Sequence, residues 1–172
     1  MWDKDRFVKR VLYCAMYTAL ALILSFVEAV LPVTAVIPLP GFKLGLANLA
    51  TMDCAFRMSI SAAIAVSLAR TLLMGMLFGN ITSFLFSLCG GIVVLLILAL
   101  CRRLGRTFSY LGISVLCALG HSAGQLFCAA CITGNGTAVM TTYAPFLAAA
   151  SLLFGAVNGA LLLCIAPKLP KL

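Results

Sequence analysis

The chain has 172 residues, 64% of them hydrophobic and only 9% charged, with a mean hydropathy of +1.19. This excludes a soluble domain of that size and implies one integral membrane domain over 1–172, with no stretch inside it long enough to fold as an ATPase or a soluble catalytic domain. The formal charge of +8 comes from 12 Lys and Arg against 4 acids, but the basic residues stand at the ends of apolar runs, where orientation signals belong, so no nucleic-acid partner is expected.

Residues 1–10 form a charged head in which Lys4, Arg6, Lys9 and Arg10 outnumber Asp3 and Asp5. The apolar run 11–31 is the first span. It is too long for the core of a signal peptide, about 7–15 residues, even though Val33 to Ala35 resembles a cleavage site. The segment 32–43, with Pro32, Pro38, Pro40 and Gly41, reads as an outer capping loop. A second helix over 44–57 would rise only about 21 Å against a hydrocarbon core of about 30 Å. Irregular backbone at such depth survives only where protein or a water-filled cavity satisfies it, so 32–48 is expected to cap and wall a binding cavity. Four longer apolar helices follow, over 58–78, 81–100, 108–132 and 143–166. The sequence thus predicts an all-α bundle of six transmembrane helices with a short second one.

Loop charge gives the orientation. The amino terminus, Arg57, the Arg102 to Arg106 loop and the Lys168/Lys171 tail are basic, while the opposite loops carry Lys43 alone. Both termini are therefore expected in the cytoplasm. Small residues four apart allow close helix contacts in lipid: Ala15 and Ala19, then Ser67, Thr71, Gly75 and Gly79, then Gly120 and Gly124, then Gly155 and Gly159. Ordinary bundle packing explains most of these. The Gly90–Gly91 pair is expected to loosen the fourth helix.

Polar residues at membrane depth are costly unless paired or facing water, which makes them functional candidates. Arg70 lies nine residues from Gly79 and His121 eleven from Ile132, placing them about 13 and 16 Å deep. Gln125 is one turn from His121 on the same face. Asn48, Glu28, Asn80 and Lys43 complete the candidate substrate-binding set, with Asn158 a further polar residue at membrane depth. The structural alternatives are an ion pair of Arg70 with Glu28 or Asp53, a hydrogen-bonded core imidazole for His121, and simple solvation of Glu28 and Asn80. Eight cysteines are scattered along apolar helices, and the Cys128-x-x-Cys131 pair lacks the further ligands of a metal site. Neither a phosphate-binding glycine loop nor a hydrolase motif is found. Prenyl diphosphate synthesis needs clustered aspartates for magnesium, and the only close acids are Asp3 and Asp5, so no catalytic residue is expected.

The motifs P-G-F-K-L-G-L-A-N (40–48), L-L-M-G-M-L-F-G-N (72–80), S-F-L-F-S-L-C-G-G (83–91) and G-H-S-A-G-Q (120–125) resemble the Gx transporter family, whose members often carry the label heptaprenyl diphosphate synthase component I. The resemblance covers nearly the whole chain. In outline that family is similar to the substrate-capture (S) components of energy-coupling-factor transporters. The resemblance implies a bacterial-type plasma membrane location and a loop after the first helix that closes over the ligand. It implies docking through an A-x-x-x-A motif, here Ala15 and Ala19, onto a transmembrane scaffold driven by two ATPases, so that ATP is used by partners and no cofactor by this chain. The captured molecule would be small and anionic or amphipathic, such as a vitamin or an isoprenoid or quinone precursor. The alternative is a non-catalytic membrane subunit associated with polyprenyl diphosphate or quinone biosynthesis.

Overall fold

In lipid every backbone N–H and C=O must be satisfied within the chain, which favours helices. A computed structural model describes residues 2–30, 45–78, 81–105 and 108–165, and every regular element among them is a helix. In chain order these are α1 (Trp2–Val30), α2 (Asn48–Arg57), α3 (Ile60–Phe78), α4 (Ile81–Arg103), α5 (Tyr110–Thr133) and α6 (Gly136–Ile165). Five of them, α1 and α3 to α6, are long and apolar enough to cross a membrane. Large apolar side chains such as Met76, Ile81, Leu96 and Phe127 cover the outside of the bundle, as lipid contact requires. The chain is a multi-pass membrane protein. The expected capping loop 32–43, with Lys43, lies outside the described residues, as do Gly79 and Asn80.

Three boundaries differ from expectation by more than three residues. The charged head is the first part of α1, because no Gly or Pro interrupts residues 2–30. The second helix is ten residues instead of fourteen, about 15 Å long. Gly45 adopts φ 81°, a left-handed conformation that suits glycine and cannot continue a right-handed helix, so α2 starts beyond it. The sixth helix begins seven residues early. Gly134, at φ 66°, closes α5 by donating its N–H to the Ala130 carbonyl, and Asn135 Oδ1 at once accepts from Ala138 N at 3.2 Å. One residue thus ends a helix and the next caps another. Pro145 lies inside α6, which membrane helices tolerate when neighbours re-satisfy the freed carbonyl.

Close approach of backbones sets the bundle. A Cβ on Gly124 of α5 would stand 2.7 Å from the Cys89 carbonyl oxygen and 2.8 Å from Gly90 Cα of α4. On α6, Gly155 and Gly159 meet Val115 Cα and Leu111 Cα of α5 with a Cβ margin of only 2.8 Å each. Ser122 and Ser151 then bridge α5 and α6 by a hydroxyl hydrogen bond of 2.6 Å. The Gly90–Gly91 pair has a different role from the one expected. Helix α4 runs unbroken through it, and the two glycines let His121 of α5 and Ser67 of α3 approach α4.

The short α2 packs against all five other helices, with Ala50, Met52, Cys54 and Ala55 in the apolar core alongside Ala63, Val66, Val94, Leu98 and Leu162. Its C-terminal end is tied down on three sides. Tyr17 Oη of α1 donates to Asp53 Oδ2 at 2.6 Å, and Arg57 Nε pairs with Asp53 Oδ1 at 2.7 Å. Arg102 Nη1 of α4 donates to the Ala55 carbonyl, answering one of the acceptors a helix C-terminus leaves open. The Phe56 and Tyr110 rings meet edge to face with centroids 5.7 Å apart.

Candidate functional site

The N-terminal end of α2 is the contrast. Gly45, Ala47 and Asn48 are buried, yet no side chain caps the helix: Ala47 stands at the cap position. The preceding turn answers the first N–H groups instead: Asn48 N–H donates to the Gly45 carbonyl at 3.0 Å and Leu49 N–H to the Leu46 carbonyl at 3.1 Å, while the end keeps its partial positive charge. Around it converge polar side chains from α1, α2, α3 and α5, all nearly or fully sealed from solvent: Glu28, Asn48, Arg70, His121 and Gln125.

The chain of contacts runs as follows. Glu28 Oε1 of α1 accepts the Gly45 N–H. A side chain at Gly45 would meet Asn48 Nδ2 at 2.8 Å and His121 Cδ2 at 3.6 Å, so Gly45 is both conformationally and sterically fixed between α1, α2 and α5. His121 Nε2 lies 3.1 Å from Gln125 Nε2. With the amide donating, the ring nitrogen accepts and a neutral imidazole carries its proton on Nδ1. That nitrogen faces Gly90, where a Cβ would stand 2.5 Å away. One turn before Glu28, Ser25 Oγ accepts from Arg70 Nη1 of α3 at 3.4 Å. Arg70 is 4% exposed, and its Nε and Nη2 have no hydrogen-bond partner. The same holds for Asn48 Nδ2, Thr51 Oγ1, Gln125 Oε1 and, on α6, Asn158 Oδ1.

The expected residues therefore divide. Arg70, Glu28, Asn48, His121 and Gln125 come together in this seam. Glu28 is 4% exposed rather than solvated. Of the two acids weighed for Arg70, Asp53 is engaged elsewhere. Asp53 is held by Arg57 and Tyr17 at the other end of α2, and the Glu28 carboxylate attracts the guanidinium electrostatically while its Oε1 accepts from Gly45. Ala15 and Ala19 are exposed on α1, while Ser25 and Glu28 further along it are buried. Cys128 is buried with Phe86 and Leu126, while Cys131 is exposed.

Sequence reasoning missed Ser25 and Thr51. Both were within reach: Ser25 precedes Glu28 by three residues and Thr51 follows Asn48 by three, each on the same helix face. Gly45 was legible as a glycine free to take unusual backbone geometry, but its contact with Glu28, 17 residues away in sequence, was not.

Against known proteins, the family described as heptaprenyl diphosphate synthase component I matches residues 17–164. The chain belongs to that family. The matched stretch begins within α1 and ends in α6, so it takes in the whole polar seam and both ends of α2. No curated protein and no solved structure matches the chain.

Proposed function

We propose that this family member is the substrate-binding membrane subunit of a transporter. It captures a small anionic or amphipathic molecule, of the size of a vitamin or an isoprenoid or quinone precursor, in an outward-facing cavity at the N-terminal end of α2. The observation that supports this reading is the set of buried polar atoms left without partners there. A buried donor or acceptor without a hydrogen bond costs about 1–3 kcal/mol, and more when charged, so several at one place in a bundle packed tightly elsewhere argue for an occupant. Glu28, Asn48, Arg70, His121 and Gln125 line the site on this reading, with Lys43 and Asn80 as further candidates.

The chain lacks any segment that could hold ATP, and carboxylates at mid-membrane, the usual proton or sodium sites of ion-coupled carriers, are few: Glu28 is bonded to Gly45 and Asp53 to Arg57. An energising partner, a transmembrane scaffold with two ATPases, fits better. The exposed Ala15 and Ala19 on α1 offer a small-residue face for it. Both termini then face the cytoplasm of a bacterial-type cell.

The family description favours a second reading, a non-catalytic membrane subunit that serves a prenyl diphosphate synthase. One experiment separates the two. The full chain is purified in detergent, with and without a co-expressed soluble prenyl synthase, and the small molecules it releases are identified by mass spectrometry. A released organic molecule other than lipid or detergent, with no synthase retained, is expected. A stable complex with the synthase and no released molecule would overturn the transporter reading.

A further inference from the structure

Arg70 carries more information than its charge. Its guanidinium is planar, with five N–H donors in fixed directions. Nη1 is committed to Ser25 Oγ at 3.4 Å. The two nitrogens without partners, Nε and Nη2, are the pair whose N–H bonds point the same way from one edge of the plane. That edge matches two oxygens of one carboxylate or phosphate and forms two parallel charge-assisted hydrogen bonds with it. Leaving it empty in a dry interior is strongly unfavourable. The acid that attracts Arg70, Glu28, has Oε1 turned to Gly45 N.

The surroundings add donors of the same kind. Ser25 and Glu28 lie one turn apart on α1, and Glu28 holds Gly45 just ahead of the uncapped start of α2. Asn48 Nδ2 stands there, buried and without a hydrogen-bond partner. That amide can donate to an acceptor oxygen, whereas the helix start already bonds its N–H groups to the Gly45 and Leu46 carbonyls and holds the Glu28 carboxylate on Gly45 N.

We propose that the Nε–Nη2 edge of Arg70, braced through Nη1 by Ser25, is a preformed fork for a two-oxygen anionic group, with Asn48 Nδ2 as an accessory donor. This deepens the capture reading and rests on it: the captured molecule presents a carboxylate or phosphate to Arg70 and leaves its remainder to the rest of the seam. A point charge is not enough for such a site, so lysine is a poor substitute.

The test uses the full chain in a neutral maltoside detergent, labelled with [15N]arginine, and three probes of equal chain length: decanoate, decyl phosphate and decanol. The Arg70 Nε–H is recognised as the slowest-exchanging arginine signal, since it is sealed from solvent. Decanoate or decyl phosphate is expected to shift that signal downfield saturably and to raise the Tm, and the one acting at lower concentration identifies the oxyanion. Decanol should do neither. In Arg70→Lys the anion's effect on Tm should need about tenfold more probe, about 1.4 kcal/mol. The titration of the unsubstituted chain stands by itself if that variant does not fold. No shift with either anion, or an Arg70→Lys variant that binds as the parent does, overturns the fork. Were decanol alone to raise the Tm, the fork would fall while capture of a neutral amphipath survived; were a released ligand found but uncharged, the same division would hold.

Discussion

The two ends of α2 are about 15 Å apart and are built on opposite rules. At the C-terminal end every strong polar group has an answer: Asp53 takes Tyr17 and Arg57, Arg102 takes the Ala55 carbonyl, and two aromatic rings close the contact. At the N-terminal end the helix is uncapped, and Asn48, Thr51, Arg70 and Gln125 each keep at least one buried polar atom without a partner. Packing does not explain the difference, since Gly90 and His121 at the second end touch so closely that a Cβ has no room. Polar satisfaction does. A region that packs well yet leaves donors unanswered is set up for something other than the fold, whereas the answered end holds the helix in place.

Substitutions at the two ends test this contrast. The largest loss is expected from Gly90→Val. Its Cβ would lie 2.5 Å from His121 Nδ1 and 2.9 Å from the His121 carbonyl oxygen, so α4 and α5 must separate, at about 3 kcal/mol. Reversible unfolding in mixed micelles measures it; a near-neutral result would mean the site end is loosely packed, and the contrast would lose its basis. Asp53→Asn comes next, at about 2 kcal/mol, because it weakens two charge-assisted bonds at once. Tyr17→Phe should cost about 1 kcal/mol, the value of one bond to a carboxylate that keeps its arginine. At the opposite end Thr51→Val removes a hydroxyl that bonds to nothing and keeps the shape, so the unfolding free energy should stay within about 0.5 kcal/mol of the parent or rise. A loss as large as that of Asp53→Asn would show that Thr51 is as well answered as the anchor.

Much of this was legible in the sequence because membrane helices announce themselves. Runs of apolar residues long enough to cross lipid are hard to mistake, and the start of α4 at Ile81 and the end of α5 near Ile132 fell within a residue of expectation. Boundaries set by single residues were harder. Gly45 shortened α2, and the Gly134–Asn135 pair lengthened α6, through backbone conformations that composition does not reveal. In the site, the logic that polar groups at membrane depth are costly named Arg70, Glu28, Asn48, His121 and Gln125 from residue type alone, and the structure buries all five. That logic could not say how they are joined. The Ser25–Arg70 bond spans 45 residues, and the seating of His121 on Gly90 depends on how α4 and α5 cross. A glycine pair that reads locally as a flexible point is, in the bundle, a point of contact. The pairing of Arg70 was the least readable of all, because an intramembrane arginine has the same sequence signature whether it is bonded or waiting.

That last distinction is the one to measure. The unfolding free energy of ligand-free Arg70→Met, set beside Asp53→Asn under identical conditions, asks whether Arg70 is kept for the fold. If its fork is held open for a ligand, replacing it by an apolar chain of similar length removes an unanswered buried charge, and stability should be unchanged or higher by up to about 2 kcal/mol. A loss of about 3–5 kcal/mol, as when one partner of a buried ion pair is removed, would make Arg70 a structural residue and contradict a binding site at this end of α2.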